Sequence, residues 1–354
     1  MSTVRVRLPA PILCMDQYQL IARWLNGSYT GKLSPWQIDI DTTNICNQAC
    51  YYCNSELFRE HKPTFQSVES YRKLIDEFAS WRSVDPTLFG SISNIIFSGG
   101  GEPTLLPGYE NLIEQSIDHG YSVAINTNGT KLHKILSISE SKIRKMAYIG
   151  LDIDSADPIT YEKIRRSKFP SPFEDIKNTA IELGKINAPL DLKVLLLPQN
   201  STTEEIEKIF NLAKQVNARL IHFRPAVLEG YIHHITHTDE WNIKEISKKY
   251  NIKYNLSLGR LDKRTYNHCH QMFLFPSFCA DGNIYLCCEQ KGNKELCLGS
   301  WLKDDWQDLW CSKKHKEIYK NFKLTNCLPC RPNRVNNSIE EAVVNTTSIL
   351  RGFI

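Results

Sequence analysis

Residues 36–42 (WQIDIDT) alternate apolar and polar side chains, the period of a strand. Short apolar runs recur downstream in SNIIFS, SVAINTNGT (122–130), MAYIGLDID, DLKVLLL (191–197) and RLIHFRP (219–225), and each predicts a strand. Between them the spacing is helical. Residues 67–82 place Tyr71, Leu74, Ile75 and Phe78 on one face, and 202–216 open with a Thr cap and an acidic first turn. Further helices are expected over 108–119, over 132–145, and over 158–186 with a break at Pro170 and Pro172. Six strands alternating with helices predict βαβ units and a parallel sheet. Periodicity leaves open whether that sheet is a partial barrel or doubly wound. In both, ligands bind beyond the carboxyl ends of the strands. A cysteine cluster after the first strand, a GGGEP turn after the second, residues 126–130, residues 152–155 and Arg224 all fall there.

After about residue 230 the pattern changes. Histidine, aromatic and cysteine residues thicken and strands shorten; DGNIYLCC resembles a hairpin arm entered through Asp281-Gly282-Asn283. The expected organisation is an extension over 1–35, the βα array over 36–228, a cysteine-rich region over 229–335 and a loosely held tail over 336–354. Residues 226–268 are the expected substrate cover. Of 354 residues, 42% are hydrophobic and 23% charged, enough for a packed core and against wholesale disorder. Lys and Arg number 43 against 39 Asp and Glu, and a net +4 argues for neither nucleic acid nor an acidic membrane as partner. No apolar run approaches the ~18 residues of a membrane helix, and the N-terminus lacks a signal-peptide core, so a cytoplasmic protein is expected.

Twelve cysteines in such a chain point to metal or redox chemistry rather than disulfides. Cys46, Cys50 and Cys53 form one group, eight more lie from Cys269 to Cys330, and Cys14 stands alone. Three thiolates can converge on one small inorganic centre. Zinc normally takes four ligands, and His61 is the nearest further candidate. Three cysteines on a cubane iron–sulfur cluster leave one iron open to a substrate or cofactor. In the second group, Cys269-x12-Gly282-x4-Cys287 followed by Cys327-x2-Cys330 supplies four thiolates. Zinc and a cubane are not distinguished there by sequence.

The spacing C-x3-C-x2-C, with Tyr52 before the last cysteine, after the first strand of a βα array and with Gly100, Gly101, Glu102 and Pro103 after the second, resembles the radical S-adenosylmethionine (SAM) enzymes. The resemblance covers residues 36–225 and implies a partial (βα)6 barrel followed by a small cysteine-rich α+β domain. It implies a [4Fe–4S] cluster on Cys46, Cys50 and Cys53 whose open iron binds SAM, reductive cleavage to a 5′-deoxyadenosyl radical, and hydrogen abstraction from a substrate. By family position Gly100, Gly101 and Glu102 would meet the SAM amino group, and Asn126 and Asn128 the ribose. Asp152, Asp154 and Ser155 would reach ribose or substrate, Arg165 or Arg166 the carboxylate, and Tyr52 the adenine. For these residues an ordinary turn or a solvated helix face is the plain alternative.

The C-terminal cysteines resemble the auxiliary-cluster extensions called SPASM and twitch domains. The longer SPASM continuation is absent, which favours the twitch form with one auxiliary [4Fe–4S] cluster on Cys269, Cys287, Cys327 and Cys330. Cys14, Cys279, Cys288, Cys297 and Cys311 remain as buried small hydrophobes, with Cys279, Cys288, Cys297 or Cys311 alternatively a ligand of a further cluster or a hydrogen donor. An auxiliary cluster can accept the second electron of an oxidation, with Asp281, Glu289, His222, His233 or His234 as base and Arg224 holding a carboxylate, phosphate or hydroxyl-rich substrate. The resemblance implies oxidation of a small polar metabolite such as a sugar or cyclitol, or else modification of a ribosomally made peptide or protein. The 35 residues before the first strand leave no room for a peptide-leader domain, which weighs toward the metabolite. Flavodoxin or ferredoxin is the implied electron donor. The rival from another class is a non-enzymatic iron–sulfur or zinc protein.

Overall fold

The computed structural model describes residues 15–27, 31–53, 55, 58, 63–81, 92–168, 172–228 and 230–351; Cys14, His61 and Pro170 lie outside them. The chain opens with helix α1 (Met15–Leu25), which buries Ile21, Ala22 and Trp24. Six parallel strands follow: β1 (Gln37–Asp41), β2 (Asn94–Ser98), β3 (Ser122–Thr127), β4 (Tyr148–Asp152), β5 (Leu190–Leu196) and β6 (Leu220–Pro225). The helices between them are α2 (Val68–Ala79), α3 (Tyr109–Asp118), the one-turn α4 (Glu140–Ile143), α5 (Pro158–Arg165), α6 (Phe173–Lys185) and α7 (Thr203–Gln215).

The strands lie side by side in chain order, β1 to β6. Right-handed crossovers between strands taken in order all fall on one side of the sheet, so the helices cover one face only. A doubly wound sheet reverses its order partway. The order here therefore selects the partial barrel, and the side-chain alternation agrees. Ile38 and Ile40, Leu192 and Val194, and Ile221 and Phe223 enter the core under the helices. The alternate positions on the same strands are Asp39 and Asp41, Asp191 and Lys193, and His222 and Arg224. A parallel sheet buried on both faces would be apolar on both. This one has a polar inner face.

The helices follow from local signals. Ser67 caps α2, its hydroxyl accepting from the Ser70 N–H at 3.1 Å, and the buried face is Tyr71, Leu74, Ile75 and Phe78 as the spacing predicts. Thr202 caps α7 by accepting from the Glu205 N–H at 3.3 Å. The helix expected over 132–145 is instead a 3-10 turn (Leu132–Ser137) and α4. Ser137, Ser139 and Ser141 interrupt it, and serine side chains compete with the helical backbone for hydrogen bonds.

The C-terminal region does not stand apart from the barrel. A small hairpin, β7 (Val227–Leu228) and β8 (Tyr231–Ile232), leads to α8 (His237–Tyr250) and β9 (Tyr254–Leu256), which extends the sheet beyond β6. The expected cover over 226–268 is thus largely scaffold, with Tyr250 of α8 packing on Phe210 of α7 at 6.2 Å between ring centres. Then β10 (Ser277–Phe278) pairs parallel to β1, and β11 (Asn283–Tyr285) and β12 (Cys297–Ser300) continue antiparallel, giving one ten-stranded sheet. Helices α9 (Trp306–Leu309), α10 (Lys313–Asn321) and α11 (Asn333–Arg351) complete the fold. Among the described residues no helix is long and apolar enough to cross a membrane.

The segment expected as a loose tail is most of α11. It packs on α1, and Ile339 is fully buried. Truncating a buried branched side chain removes its transfer energy and leaves a cavity. Ile339→Ala is therefore expected to lower the unfolding free energy by about 3 kcal/mol. Urea unfolding measures this, and a change within a few tenths would restore the loose-tail picture.

Candidate functional site

The loop carrying Cys46, Cys50 and Cys53 leaves the end of β1 and is clamped from two sides. From β2, the Gly101 N–H donates to the Thr43 carbonyl and the Glu102 N–H to the Ile45 carbonyl, both at 2.8 Å. The clamp needs glycine. A Cβ on Gly101 would stand 2.1 Å from the Ile45 oxygen, and one on Gly100 would stand 2.1 Å from the Phe58 ring. From α5, the Ala49 N–H donates to the carbonyls of Arg165 and Arg166, and Gln48 donates to the Tyr161 hydroxyl at 2.7 Å. Lys168 adds a bond from Nζ to the Cys46 carbonyl at 3.1 Å.

The residues predicted around this loop gather there, and the structure shows what each touches. Glu102 is 2% exposed, and its carboxylate accepts from the Thr104 N–H and hydroxyl, the Thr127 hydroxyl and the Asn128 N–H. It ties the end of β2 to the end of β3. Burial raises its pKa, and these donors oppose the rise. Asn128 donates to Asn47 Oδ1 at 2.9 Å and accepts from Thr130, fastening the β3 turn to the cysteine loop. Arg165 pairs with Asp154 at 2.7 Å, both nearly buried, and the Tyr52 hydroxyl donates to the same carboxylate. Asp154 has φ 57°, a strained value for a non-glycine residue, and its other oxygen accepts from the Leu195 N–H at 2.7 Å. Ser155 faces the helices, donating to Glu205 at 3.0 Å.

The second set of thiols is assembled from three segments. Cys269 precedes a 3-10 turn, Cys287 follows β11, and Cys327 and Cys330 precede α11. Burial first, then Cys330 and Cys327, pushes the Cys269 thiol up to about 12; burial, then Cys288 and Cys269, raises Cys287 well above the ordinary thiol value. Asn336 donates to Cys269 Sγ at 3.6 Å and Gln290 to Cys327 Sγ at 3.2 Å. The eleven described cysteines are all free thiols. Among the described residues no three His, Cys, Asp or Glu side chains close around one ion-sized point. A cubane, whose ligand sulfurs surround four irons, asks for a wider ring of thiols than a single ion. Thiol donors and amide hydrogen bonds to sulfur suit such clusters. Cys279 and Cys297 pack with Phe58 and Tyr285, and Cys311 lies in the main core. Cys288 stands apart, accepting from Arg331 Nη2 at 2.9 Å.

Between the two thiol sets lies the polar inner face of the barrel. Lys193 of β5 crosses over Gly150 of β4, donates to Asn126 of β3, and rests its ammonium 4.4 Å from the Tyr148 ring centre. A Cβ on Gly150 would lie 2.5 Å from Lys193 Cε, so this path needs glycine. Burial drives the Lys193 pKa down to about 7. Arg224 lies 3.5 Å from Asp152, and Arg219 grips Asp191 with two bonds at 3.0 and 2.9 Å. His222 stands 3.5 Å from Asp191.

The predicted bases fare differently. Asp281 accepts from Tyr285, from the Asn283 N–H and from its amide, which makes it the organiser of the β10–β11 turn. Glu289 pairs with Arg331 at 3.1 Å; burial pushes its pKa up, but Arg331, Arg260 and Arg224 outweigh that and leave it lowered. His233 bonds Tyr231 in the β7–β8 hairpin, and His234 is exposed. Sequence reasoning missed Lys193, Arg260, Arg331, and a buried pair of Lys291 with Asp41 at 2.7 Å. For Lys193 and Asp41 the available signal was a charge at an alternate position of an otherwise apolar strand; Arg260, Lys291 and Arg331 lie outside the strands and carried no such signal.

The model of the Radical SAM superfamily matches residues 40–213. The S-adenosylmethionine-dependent nucleotide dehydratase of Selenomonas ruminantium is 25% identical over 125 residues, 35% of this chain and 41% of that protein. The AdoMet-dependent heme synthase of Nitratidesulfovibrio vulgaris is 25% identical over 193 residues, 54% of this chain and 47% of that protein. The chain thus spans less than half the length of these two relatives. The crystal structure of Streptococcus suis SuiB bound to precursor peptide SuiA shares the fold with a TM-score of 0.62 at 14% identity, over 86% of this chain and 71% of that one.

Two outcomes are expected at this site. Gly101→Ala displaces the Ile45 carbonyl and with it the cysteine loop, so the reconstituted variant should hold about half the iron of the wild type. Unchanged iron would show that the clamp is dispensable. Lys193 has a folded pKa of about 7, against about 10.4 unfolded. Between those values the unfolded chain carries a proton that the folded chain has released, so this lysine makes stability rise with pH. Lys193→Met should flatten that rise between pH 7 and about 10, read as the difference in urea midpoints.

Proposed function

The chain belongs to the radical SAM superfamily, and from that premise we propose that it oxidises a small, polar, hydroxylated metabolite of the sugar or cyclitol class in the barrel lumen. The observation that supports this reading is the lumen itself, whose wall includes Asp39, Asp152, Lys193 and Arg224. Such a wall suits a ligand with many donors and acceptors, because each unpaired buried polar group costs about 1–3 kcal/mol.

Cys46, Cys50 and Cys53 would hold one [4Fe–4S] cluster with SAM, and Cys269, Cys287, Cys327 and Cys330 a second. Together they supply hydrogen-atom abstraction from an unactivated C–H bond and a sink for the second electron. The chain's own residues do the rest. The backbone of Gly100 and Gly101 leaves room for the SAM amino group beside the cysteine loop, a role that Glu102 supports by fixing the turn. Asn126, held by Lys193, and Asn128, held by Asn47, are oriented toward ribose hydroxyls. Tyr52 walls the adenine side, braced by Asp154 and Arg165. Lys193, poised near neutrality, accepts the proton that leaves with the second electron. Asp152 holds hydroxyl groups, and Arg224 beside it holds a polar or anionic group of the substrate. The electron donor is a flavodoxin or ferredoxin.

A second reading is peptide modification. It is favoured by the fold shared with SuiB over most of this chain, SuiB having been crystallised with a precursor peptide. Limiting reductant separates oxidation from redox-neutral chemistry that consumes SAM, because an oxidation returns its electron and exceeds one turnover per electron supplied, whereas a redox-neutral enzyme does so only if it regenerates SAM.

The primary test counts iron and sulfide in protein reconstituted without oxygen. The wild type should hold about eight irons and a Cys46/Cys50/Cys53 triple-Ala variant about four. A wild-type value near ~12 would mean a third cluster. Zinc, with no loss in the triple variant, would overturn the radical reading.

A further inference from the structure

The inner face near the second thiol set gathers three guanidinium groups, those of Arg224, Arg260 and Arg331, among the carboxylates of Asp39, Asp152 and Glu289. Arg331 donates from Nε to Glu289 at 3.1 Å and lies 3.9 Å from Asp39. Glu289 also faces Arg224 and Arg260, so three guanidinium groups surround one carboxylate. Arg224 also lies 3.5 Å from Asp152. Arg260 donates from Nη1 to the Pro225 carbonyl at 3.3 Å, which places it beside the carboxyl end of β6. The Nε–H groups of both Arg224 and Arg260 are buried and have no hydrogen-bond partner. Burial and the like charges of Arg224 and Arg331 lower the Arg260 pKa, while Glu289 opposes them. Lys193 also lies within reach of Arg224, whose charge adds to burial in lowering the lysine's pKa.

Buried guanidinium N–H groups without acceptors are costly, and like charges gathered in low dielectric repel. Both costs vanish if an oxyanion joins them, since guanidinium forks match carboxylate and phosphate oxygens. We propose that Arg224 and Arg260 form a subsite for one oxyanionic group of the substrate, a carboxylate or a phosphate. Glu289 and Arg331 set its rim toward the second thiol set. The substrate is then an anionic metabolite, and the subsite fixes which end of it points to each thiol set. Neither predicted strand pattern nor motif marks Arg260, which comes from a 3-10 turn after β9. This deepens the proposed function and rests on it only in treating the bound anion as part of the substrate.

Calorimetric titration of the reconstituted full chain with inorganic phosphate, and separately with acetate, tests this. Saturable binding of one of the two is expected, and the tighter one names the group. Arg260→Gln and Arg224→Gln should each weaken it at least tenfold. Arg144→Gln, which removes an exposed cation paired with Glu140, should leave it unchanged. No saturable binding, or equal binding in all three variants (an adventitious ion only), overturns the proposal. If either lumen variant fails to fold, phenylglyoxal labelling of the wild type replaces it. Phosphate or acetate must then slow modification of Arg224 and Arg260 at least tenfold and leave Arg144 unprotected; equal rates overturn the proposal. Anion binding should persist in the Cys46/Cys50/Cys53 triple-Ala variant. Retained binding in a wild type that holds zinc would sink the catalytic reading and leave the subsite standing.

Discussion

Two main-chain hydrogen bonds, from Gly101 to Thr43 and from Glu102 to Ile45, locate the cysteine loop relative to the sheet. They form only because a glycine hydrogen faces the Ile45 carbonyl where a methyl group would collide. The same turn buries Glu102, whose carboxylate reaches Thr127 and Asn128 at the end of β3. Asn128 in turn holds Asn47 in the cysteine loop. The ends of three consecutive strands and the three thiols therefore form one hydrogen-bonded unit. A loop positioned in this way can present thiolates to a cluster without first having to be ordered by it.

The lumen depends on a second close approach. Gly150 lets the Lys193 stem cross β4 to reach Asn126. A lysine buried there loses hydration and has an amide and an aromatic face in return, so it sits near its neutral form. Around it the acidic groups are mostly engaged: Asp191 by Arg219, Glu289 by Arg331, and Asp154 by Arg165. Of these only Asp154 and Arg165 are both buried, and breaking one partner of that pair leaves an uncompensated charge, at about 3–5 kcal/mol. The electrostatic pattern is therefore stiff, and a ligand must complement it.

Much of the barrel was legible in the chain. The six strands and the faces of α2 and α7 follow from periodicity and from Ser67 and Thr202 as caps. The helix expected over 132–145 was not, because apolar spacing there outlasts the serines that break it. The strands β9 and β10 run three and two residues, too short to carry a period, and exist because barrel edges offered unpaired backbone groups. Helix α11 carries the signals of a helix but was read as a tail, since what makes it rigid is the distant α1. Asp281 and Glu289 are chemically reasonable bases, and only their partners show one to be a turn organiser and the other an ion-pair member.

The sequence by itself determined the chemistry's ingredients: two groups of thiols, their spacing, and a glycine-rich turn after the second strand. The first group and the turn are local, because ligands a few residues apart must meet wherever the loop goes, whereas the second group, from Cys269 to Cys330, is brought together from three segments by the fold. Only the tertiary structure decided which charges meet across the lumen. Lys193, Arg224, Arg260, Glu289 and Arg331 come from separate segments, and their protonation and pairing depend on burial and distance. Strand order brought Lys193 and Arg224 together, and the segments after β9, after β11 and before α11 carried in Arg260, Glu289 and Arg331. With β1 to β6 in sequence, the helices take one face, and every alternate charged residue is left pointing at the others across the lumen.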